Sequence, residues 1–134
     1  MKNLPSRCIG GLLLALLWTG SVQATYIVNA DGTVTDNVTG LVWDQCAWRQ
    51  SGAACATGTA SLHTWSQALG VAVTANGQNY KNHNDWRLPS RIELESLVAP
   101  AAFNPAIDTV AFPATPASRF WSSTVSAEPY PANA

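Results

Sequence analysis

Charged side chains are scarce in this 134-residue chain: Asp, Glu, Lys and Arg make up 11% of it, and the formal net charge is −1. Without residues 1–24, which are treated below as a signal, five basic side chains stand against eight acidic ones, a net charge of −3. This balance excludes a general attraction for nucleic acid or for an anionic membrane surface. An anionic ligand would need a local cluster of basic side chains.

Long apolar runs are absent after the N-terminus. Basic residues flank the start of the one such run, Cys8 to Trp18, and the small residues that a signal peptidase reads follow in Ser21 to Ala24. The run is too short for a membrane span, so an uncleaved anchor is the less favoured alternative. We predict a signal peptide over residues 1–24 and one exported domain over residues 25–134, located in the periplasm, at the cell surface or outside the cell.

Cysteines are few, and Cys8 lies in the predicted signal, which leaves Cys46 and Cys55. In an oxidising compartment, a pair this close in sequence most simply forms a disulfide. Zinc is the alternative, but two thiols without a suitably spaced histidine make a poor site. Calcium is not predicted, because the asparagine-rich loop before Asp85 offers a single carboxylate. We therefore predict no metal and no other cofactor.

The front of the predicted domain alternates β-branched or aromatic runs with turn residues. Strands are predicted over Thr25 to Asn29, Thr33 to Thr35 and Leu41 to Trp43. The turns fall at residues 30–32 and 37–40, where Asp, Asn and Gly are the turn-forming residues. The pattern indicates a small antiparallel meander.

Two capping boxes predict the starts of two helices. Thr64 with Gln67 begins the first, which continues through Gly70, at a cost of about 1 kcal/mol relative to alanine, as far as Asn76-Gly77. Ser90 with Glu93 begins the second, in which apolar residues recur at helical spacing until Pro100 stops it.

Prolines dominate the stretch after the second helix. Pro105, Pro113 and Pro116 predict an irregular surface segment, and a strand is predicted over Phe120 to Ser123.

Three segments together resemble a known family. DGTVTDNVTGLVW (residues 31–43), DWRLPSRIELESL (residues 85–97) and FWSST (residues 120–124) follow the order of the DUF1566 family, also called the Lcl C-terminal domain. The resemblance implies an α+β fold related to the C-type-lectin-like and formylglycine-generating-enzyme-like folds, with a small antiparallel sheet and two helices.

The resemblance also raises a question about the C-terminus. Family members continue with two strands after the last motif, and this sequence stops at Ala134 without them. Two interpretations stay open: the domain is incomplete at its C-terminus, or it closes differently. A bare sheet edge would favour oligomers.

The resemblance implies binding rather than catalysis. Related folds are mostly extracellular, and the best-known member of the family is an adhesin that binds sulfated glycans. The formylglycine-generating relatives depend on cysteine chemistry late in the domain, and this chain has no cysteine after Cys55. His63 and His83 lack a nucleophile and a carboxylate in a recognisable arrangement. We predict that the protein is not an enzyme.

We expect most aromatic residues to stabilise the core and the loops to bind the ligand. Tryptophans beside apolar residues are expected in the core, namely Trp43, Trp65, Trp86 and Trp121. Trp48, in the cysteine loop, either stacks on a ligand or packs over the disulfide. The candidate ligand-binding residues are Trp48, Arg49, Lys81, His83 and Arg91, because guanidinium and ammonium groups pair well with oxyanions. The alternatives are a solvated loop and an Arg91–Glu95 pair on the helix surface.

The sequence thus predicts an exported, non-catalytic binding or adhesion module for surface glycans. The alternative is a structural or assembly component of the cell envelope that recognises protein by sharing a strand. An enzyme of the formylglycine-generating type is the least favoured interpretation.

Overall fold

The computed structural model describes residues 25–125, so the predicted signal over residues 1–24 lies outside the described residues. The described part contains antiparallel sheets and two helices, which confirms the predicted α+β class. The strands are β1 Tyr26–Val28, β2 Thr33–Asp36, β3 Val42–Asp44, β4 Gln50–Ser51 and β5 Thr57–Gly58. The helices are α1 Trp65–Gly77 and α2 Arg91–Ser96, with short 3-10 turns at Ala53–Cys55 and Tyr80–Asn82.

The first three strands form the predicted meander, in the order β1-β2-β3. Val34 pairs with Val28 on one side and with Trp43 on the other, and its side chain is fully buried. Because successive side chains of a strand point to opposite faces, Val34 and Trp43 lie on the inner face of the sheet, whereas Val28, on the edge strand, is 48% exposed. All three predicted strands are confirmed to within one residue at each end.

The turn between β2 and β3 depends on Asp36, which is also fully buried. Its carboxylate accepts hydrogen bonds from the Val38 backbone N–H at 2.8 Å and from the Thr39 hydroxyl at 2.7 Å. Gly40 has a φ of +72°, a conformation that glycine adopts without steric cost. Local hydrogen bonding thus compensates the burial of this carboxylate.

The predicted disulfide joins Cys46 and Cys55, with Cα atoms 5.4 Å apart. Strands β4 and β5 form a two-stranded hairpin next to it. Gly58 has a φ of +83° and lies so close to the Arg49 carbonyl oxygen that a Cβ would overlap it. The loop is therefore held by a covalent bond and by a close backbone contact.

Both predicted capping boxes are present. In α1 the Thr64 side chain accepts the Gln67 backbone N–H, and the Gln67 side chain accepts the Thr64 N–H at 2.8 Å. The helix continues through Gly70, as predicted, and buries Ala68 and Ala75. At the C-terminal end of α1, the side-chain amide of Asn76 accepts the backbone N–H of Trp86 and donates to the Trp86 carbonyl.

Helix α2 begins as predicted but ends earlier. The Ser90 hydroxyl accepts the Glu93 N–H, and the Glu93 carboxylate accepts the Ser90 N–H at 2.7 Å. The last helical residue is Ser96, well before Pro100. Val98 instead forms an antiparallel bridge with Ile107. This tertiary pairing stops the helix before the proline does.

The core is built where the sequence predicted a surface segment. Ala111 and Phe112, in the proline-containing stretch, are buried against Val34. Tyr26 meets Phe112 edge to face, with ring centroids 5.2 Å apart, and the Gln45 side chain donates to the Ala111 carbonyl at 3.2 Å. The prediction of a surface segment is therefore wrong for residues 111–112, because these side chains, together with Leu97, cover the inner face of the sheet.

The predicted strand over residues 120–123 is also wrong. The chain here bonds to the start of α2: the Ser123 backbone N–H donates to the Pro89 carbonyl at 2.8 Å, and the side-chain hydroxyl of the next residue, Thr124, accepts the Arg91 N–H at 3.0 Å. The Arg91 N–H is one of the donors that a helix leaves unpaired at its N-terminus. The segment therefore caps a helix and does not join the sheet.

The tryptophans expected in the core divide into two pairs. Trp43 and Trp86 are partly buried, and Trp43 packs against the Val34 cluster. Trp65 and Trp121 are 38% and 49% exposed, so the prediction is wrong for them. Their indole N–H groups donate to the carbonyls of residues 122 and 63, at 2.9 and 2.7 Å. These bonds fix both rings across the start of α1 and outside the core.

Candidate ligand-binding cleft

An open cleft of about 340 Å³ lies beside the disulfide. Its walls are the β1–β2 turn (residues 29–32), residues 45–46 after β3, residues 51–53 of the disulfide loop, and Lys81. We refer to it as the Asp31–Lys81 cleft. Carboxylate, amide, hydroxyl and ammonium groups all line it, so it suits a ligand that both donates and accepts hydrogen bonds.

Lys81 is held in place by three neighbours. Its Nζ lies 2.6 Å from Asp44 Oδ1, donates to the Gly32 carbonyl, and lies 5.4 Å from the centre of the Tyr80 ring. The side chain is only 16% exposed. Lys81 therefore forms part of the cleft wall and connects the turn at Tyr80–Asn82 to the β1–β2 turn. The Asp44 carboxylate neutralises its charge.

Asp31 presents a carboxylate to the cleft. Oδ1 accepts hydrogen bonds from the hydroxyl and the backbone N–H of Thr33, at 2.7 and 2.9 Å. These two bonds lower the pKa of Asp31, so the group is ionised at neutral pH. Oδ2 lies 3.8 Å from Nε2 of His83, too far for a hydrogen bond. One oxygen of this carboxylate thus stays able to accept from a ligand.

Aromatic rings continue in a row behind Lys81. Trp48 meets Tyr80 edge to face at 5.5 Å, Tyr80 lies 6.0 Å from Trp86, and Trp86 lies 5.5 Å from His83. Burial, and secondarily the Asp44 carboxylate, raises the pKa of Tyr80 to about 12. Tyr80 is therefore a neutral phenol at physiological pH, and the row is a rigid aromatic support for the cleft.

The structure brings together three of the five candidate residues. Lys81 lines the cleft, His83 faces Asp31, and Trp48 packs edge to face on Tyr80. Arg49 is exposed and outside the lining. Arg91 lies on α2 with its Nε 3.4 Å from Glu95, the surface pair that the spacing indicated. A binding role for the five residues stays a prediction.

Sequence reasoning missed the acidic and amide groups of the cleft. The turn pattern assigns Asp31 to a turn only, and no pattern marks Gln45, which lines the cleft, or Asp44, which pairs with Lys81 beside it. A usable signal was present, because Asp44 and Gln45 come between a predicted strand and a cysteine, where a disulfide fixes the backbone.

Ser61 and His63 form a hydroxyl–imidazole contact of the kind found in nucleophile–base pairs. Ser61 Oγ lies 2.6 Å from His63 Nε2, two residues away in an extended segment. Within residues 25–125, no carboxylate lies within ion-pair distance of His63. A nucleophile–base pair normally needs a third group that orients the base. The prediction that the protein is not an enzyme stays a prediction.

Neither a metal-binding cluster nor a membrane-spanning helix is found among the described residues. No group of three or more His, Cys, Asp or Glu in this part of the chain lies close enough to hold a metal ion. No helix among residues 25–125 is both long enough and apolar enough to cross a membrane.

Comparisons with known proteins place the chain in a family. Searches of curated proteins and of solved structures gave no match, so the C-type-lectin-like relationship stays a prediction. The Lcl C-terminal domain matches residues 32–133, which include most of the cleft lining and all of α1 and α2. The chain belongs to the Lcl C-terminal domain family.

Proposed function

We propose that this protein is an exported, non-catalytic binding module that holds a glycan in the Asp31–Lys81 cleft. The observation that carries the proposal is the cleft itself, whose lining combines the carboxylate of Asp31, the amides of Asn29 and Gln45, the hydroxyl of Ser51 and the ammonium of Lys81. A saccharide presents many hydroxyl groups that both donate and accept, and such a lining satisfies them.

Rigidity of the cleft supports a binding role. The disulfide fixes one wall, and the Lys81 contacts with Asp44 and Gly32 fix the opposite one. A site that is ordered before binding loses less conformational entropy when the ligand arrives. The geometry is thus preorganised even though the cleft is open.

Export is part of the same proposal. The disulfide between Cys46 and Cys55 supports it, because disulfides persist mainly in oxidising compartments. Residues 1–24 have the pattern of a secretory signal, and they lie outside the described residues. N-terminal sequencing of the exported protein tests this point: a start at Thr25 supports export, and retention of residues 1–24 in the cell contradicts it.

A blocking substitution tests the site. Ala53 is exposed and lines the cleft, so Ala53→Trp fills it, while Ala56→Trp adds the same ring at an exposed position outside the lining. On a glycan array, we expect binding by the native protein and by Ala56→Trp, and loss of binding with Ala53→Trp. Equal binding by all three proteins would remove the cleft from the proposal, and no binding by the native protein would contradict glycan recognition.

A second candidate function, protein recognition, is favoured by a different surface. Leu62 is 92% exposed, and Trp65, Phe120 and Trp121 are each more than a third exposed near the start of α1. Exposed apolar surface of this kind is typical of protein-binding sites. A partner bound there would co-purify in high salt and would be lost with Leu62→Ser. Retention of the partner by Leu62→Ser would exclude this surface.

A further inference from the structure

We infer that the ligand of the Asp31–Lys81 cleft is a neutral glycan and that sulfated glycans are rejected. The inference rests on the proposed function and adds the charge class of the ligand. It follows from how the ionised groups of the cleft are paired, which the sequence does not show.

Lys81 is the only basic side chain that lines the cleft, within the part of the chain that the structure describes, and it is already neutralised. Its Nζ lies 2.6 Å from Asp44 Oδ1 and also donates to the Gly32 carbonyl. A sulfate approaching Nζ would meet the Asp44 carboxylate at the same place. Like-charge repulsion and the loss of an existing ion pair both oppose binding of the sulfate.

Asp31 makes the cleft acidic. Among the described residues, Asp31 is the one carboxylate in the lining, and Lys81, the one ammonium there, is already paired with Asp44, which lies outside the lining. The hydrogen bonds from Thr33 keep Asp31 ionised at neutral pH. His83 is the nearest group that could offset this charge, and it is shared, since its two ring nitrogens each lie 3.8 Å from a carboxylate, Asp31 on one side and Asp85 on the other.

None of the four arginines among the described residues lines the cleft. Arg87 forms a bidentate pair with Glu93, at 2.6 and 2.7 Å, and Arg91 pairs with Glu95. Both pairs belong to the region of α2, and none of these residues lines the cleft. The groups that recognise oxyanions best therefore lie outside the cleft lining.

Sugar hydroxyls fit the groups that remain. Asp31 Oδ2 makes no hydrogen bond to the described residues, and a carboxylate oxygen is a strong acceptor for a hydroxyl donor. The Ser51 hydroxyl on the opposite wall both donates and accepts. A neutral saccharide can bridge the two walls without bringing a negative charge next to Asp31.

The test is a glycan array of matched pairs that differ only in sulfation, read with the native protein, Asp31→Asn and Glu95→Gln. Asp31→Asn keeps an oxygen for the Thr33 bonds and removes the charge. Glu95→Gln makes the same carboxylate-to-amide change on α2, at a position that is 59% exposed and outside the lining. Circular dichroism and thermal unfolding establish that each variant is folded.

We expect the native protein to prefer the neutral member of a pair. Asp31→Asn should weaken binding of the neutral glycan by about tenfold or more, the usual effect of losing a hydrogen bond to a charged group. It should also reduce the ratio between the affinities for the neutral and the sulfated member of a pair. Glu95→Gln should leave both the neutral binding and the preference unchanged. Preference for the sulfated member, falling as salt is raised, would overturn this inference and leave the binding proposal standing. No binding to any glycan would overturn both.

Discussion

Gly58 lies where the β4–β5 hairpin leaves no room for a side chain. A Cβ at this position would overlap the Arg49 carbonyl oxygen, and the φ of +83° is unfavourable for other residues. Gly40 has a similar φ of +72° but open space around it, so it serves as the control. We expect Gly40→Ala to cost about 1 kcal/mol of unfolding free energy from strain alone, and Gly58→Ala to cost clearly more. Equal losses in urea unfolding would contradict the overlap.

Glu93 makes the stability of the fold vary with pH in the acid range. Hydrogen bonds from Arg87, and then from the Ser90 backbone N–H, lower the pKa of Glu93 from 4.5 to about 2. A group whose pKa is lower in the folded state stabilises the fold above its ordinary pKa and loses that contribution as pH falls. The stabilisation should therefore be complete above about pH 5 and disappear towards pH 2.

The matched variants are Glu93→Gln and Glu95→Gln. Glutamine at residue 93 keeps a capping-box side chain and removes the charge, whereas Glu95 is 59% exposed in a looser pair with Arg91. We expect Glu93→Gln to be less stable than the native protein near neutrality and to converge with it at low pH, while Glu95→Gln follows the native curve. A constant difference between Glu93→Gln and the native protein across pH would show that ionisation of Glu93 is not the cause.

At the scale of elements, the capping boxes decide where the helices begin. Helix α2 has six residues and none of them is fully buried, so it depends on its cap more than on packing. Ser90→Ala should cost about 1 kcal/mol, and Ser90→Thr should cost little because it keeps the hydroxyl. Thermal unfolding followed by circular dichroism measures both. No loss with Ser90→Ala would mean that the Arg87–Glu93 pair alone holds the start of α2.

Elements defined by local chemistry could be predicted from the sequence. Turn residues at 30–32 and 37–40 and the two capping boxes act within a few residues, so three strands and both helix starts are confirmed. The end of α2 and the segment over residues 120–123 depend on distant partners. Val98 bridges to Ile107, and Ser123 bonds to Pro89. No local pattern contains that information.

At the scale of the whole molecule, the buried core is small. The central cluster consists of Val34, Ala111 and Phe112, while Phe103 and Val110 are at least 87% exposed. A small core leaves little net stability, so covalent bonds gain importance. This is why the disulfide, whose cysteines are both buried, is expected to have a large effect.

Removal of the disulfide tests that expectation. For a loop closed by cysteines nine residues apart, chain entropy alone gives about 2.5 kcal/mol of stabilisation. The double variant Cys46→Ser, Cys55→Ser should lose about that amount, and the native protein in reductant should behave in the same way. Urea unfolding measures both. Unchanged stability in reductant would show that the loop is held by the hairpin instead.

The candidate site could be predicted from the sequence only in part. Lys81 and His83 were found because basic residues stand out in a chain with so few charges. Lys81 pairs with Asp44, which is 37 positions away in the sequence, and His83 faces Asp31, which is 52 positions away. Only the fold brings these residues together. The sequence therefore indicated a basic loop suited to anions, whereas the assembled cleft is acidic.

The most direct test of the account is chemical-shift mapping by NMR, with the best neutral glycan from the array titrated into the labelled protein. We predict shifts of the backbone amides of residues 29–32 and 51–53, on the two walls of the Asp31–Lys81 cleft, with the amides of α2 unaffected. Shifts confined to residues 62–65 and 120–124, around the exposed tryptophans, would contradict the account.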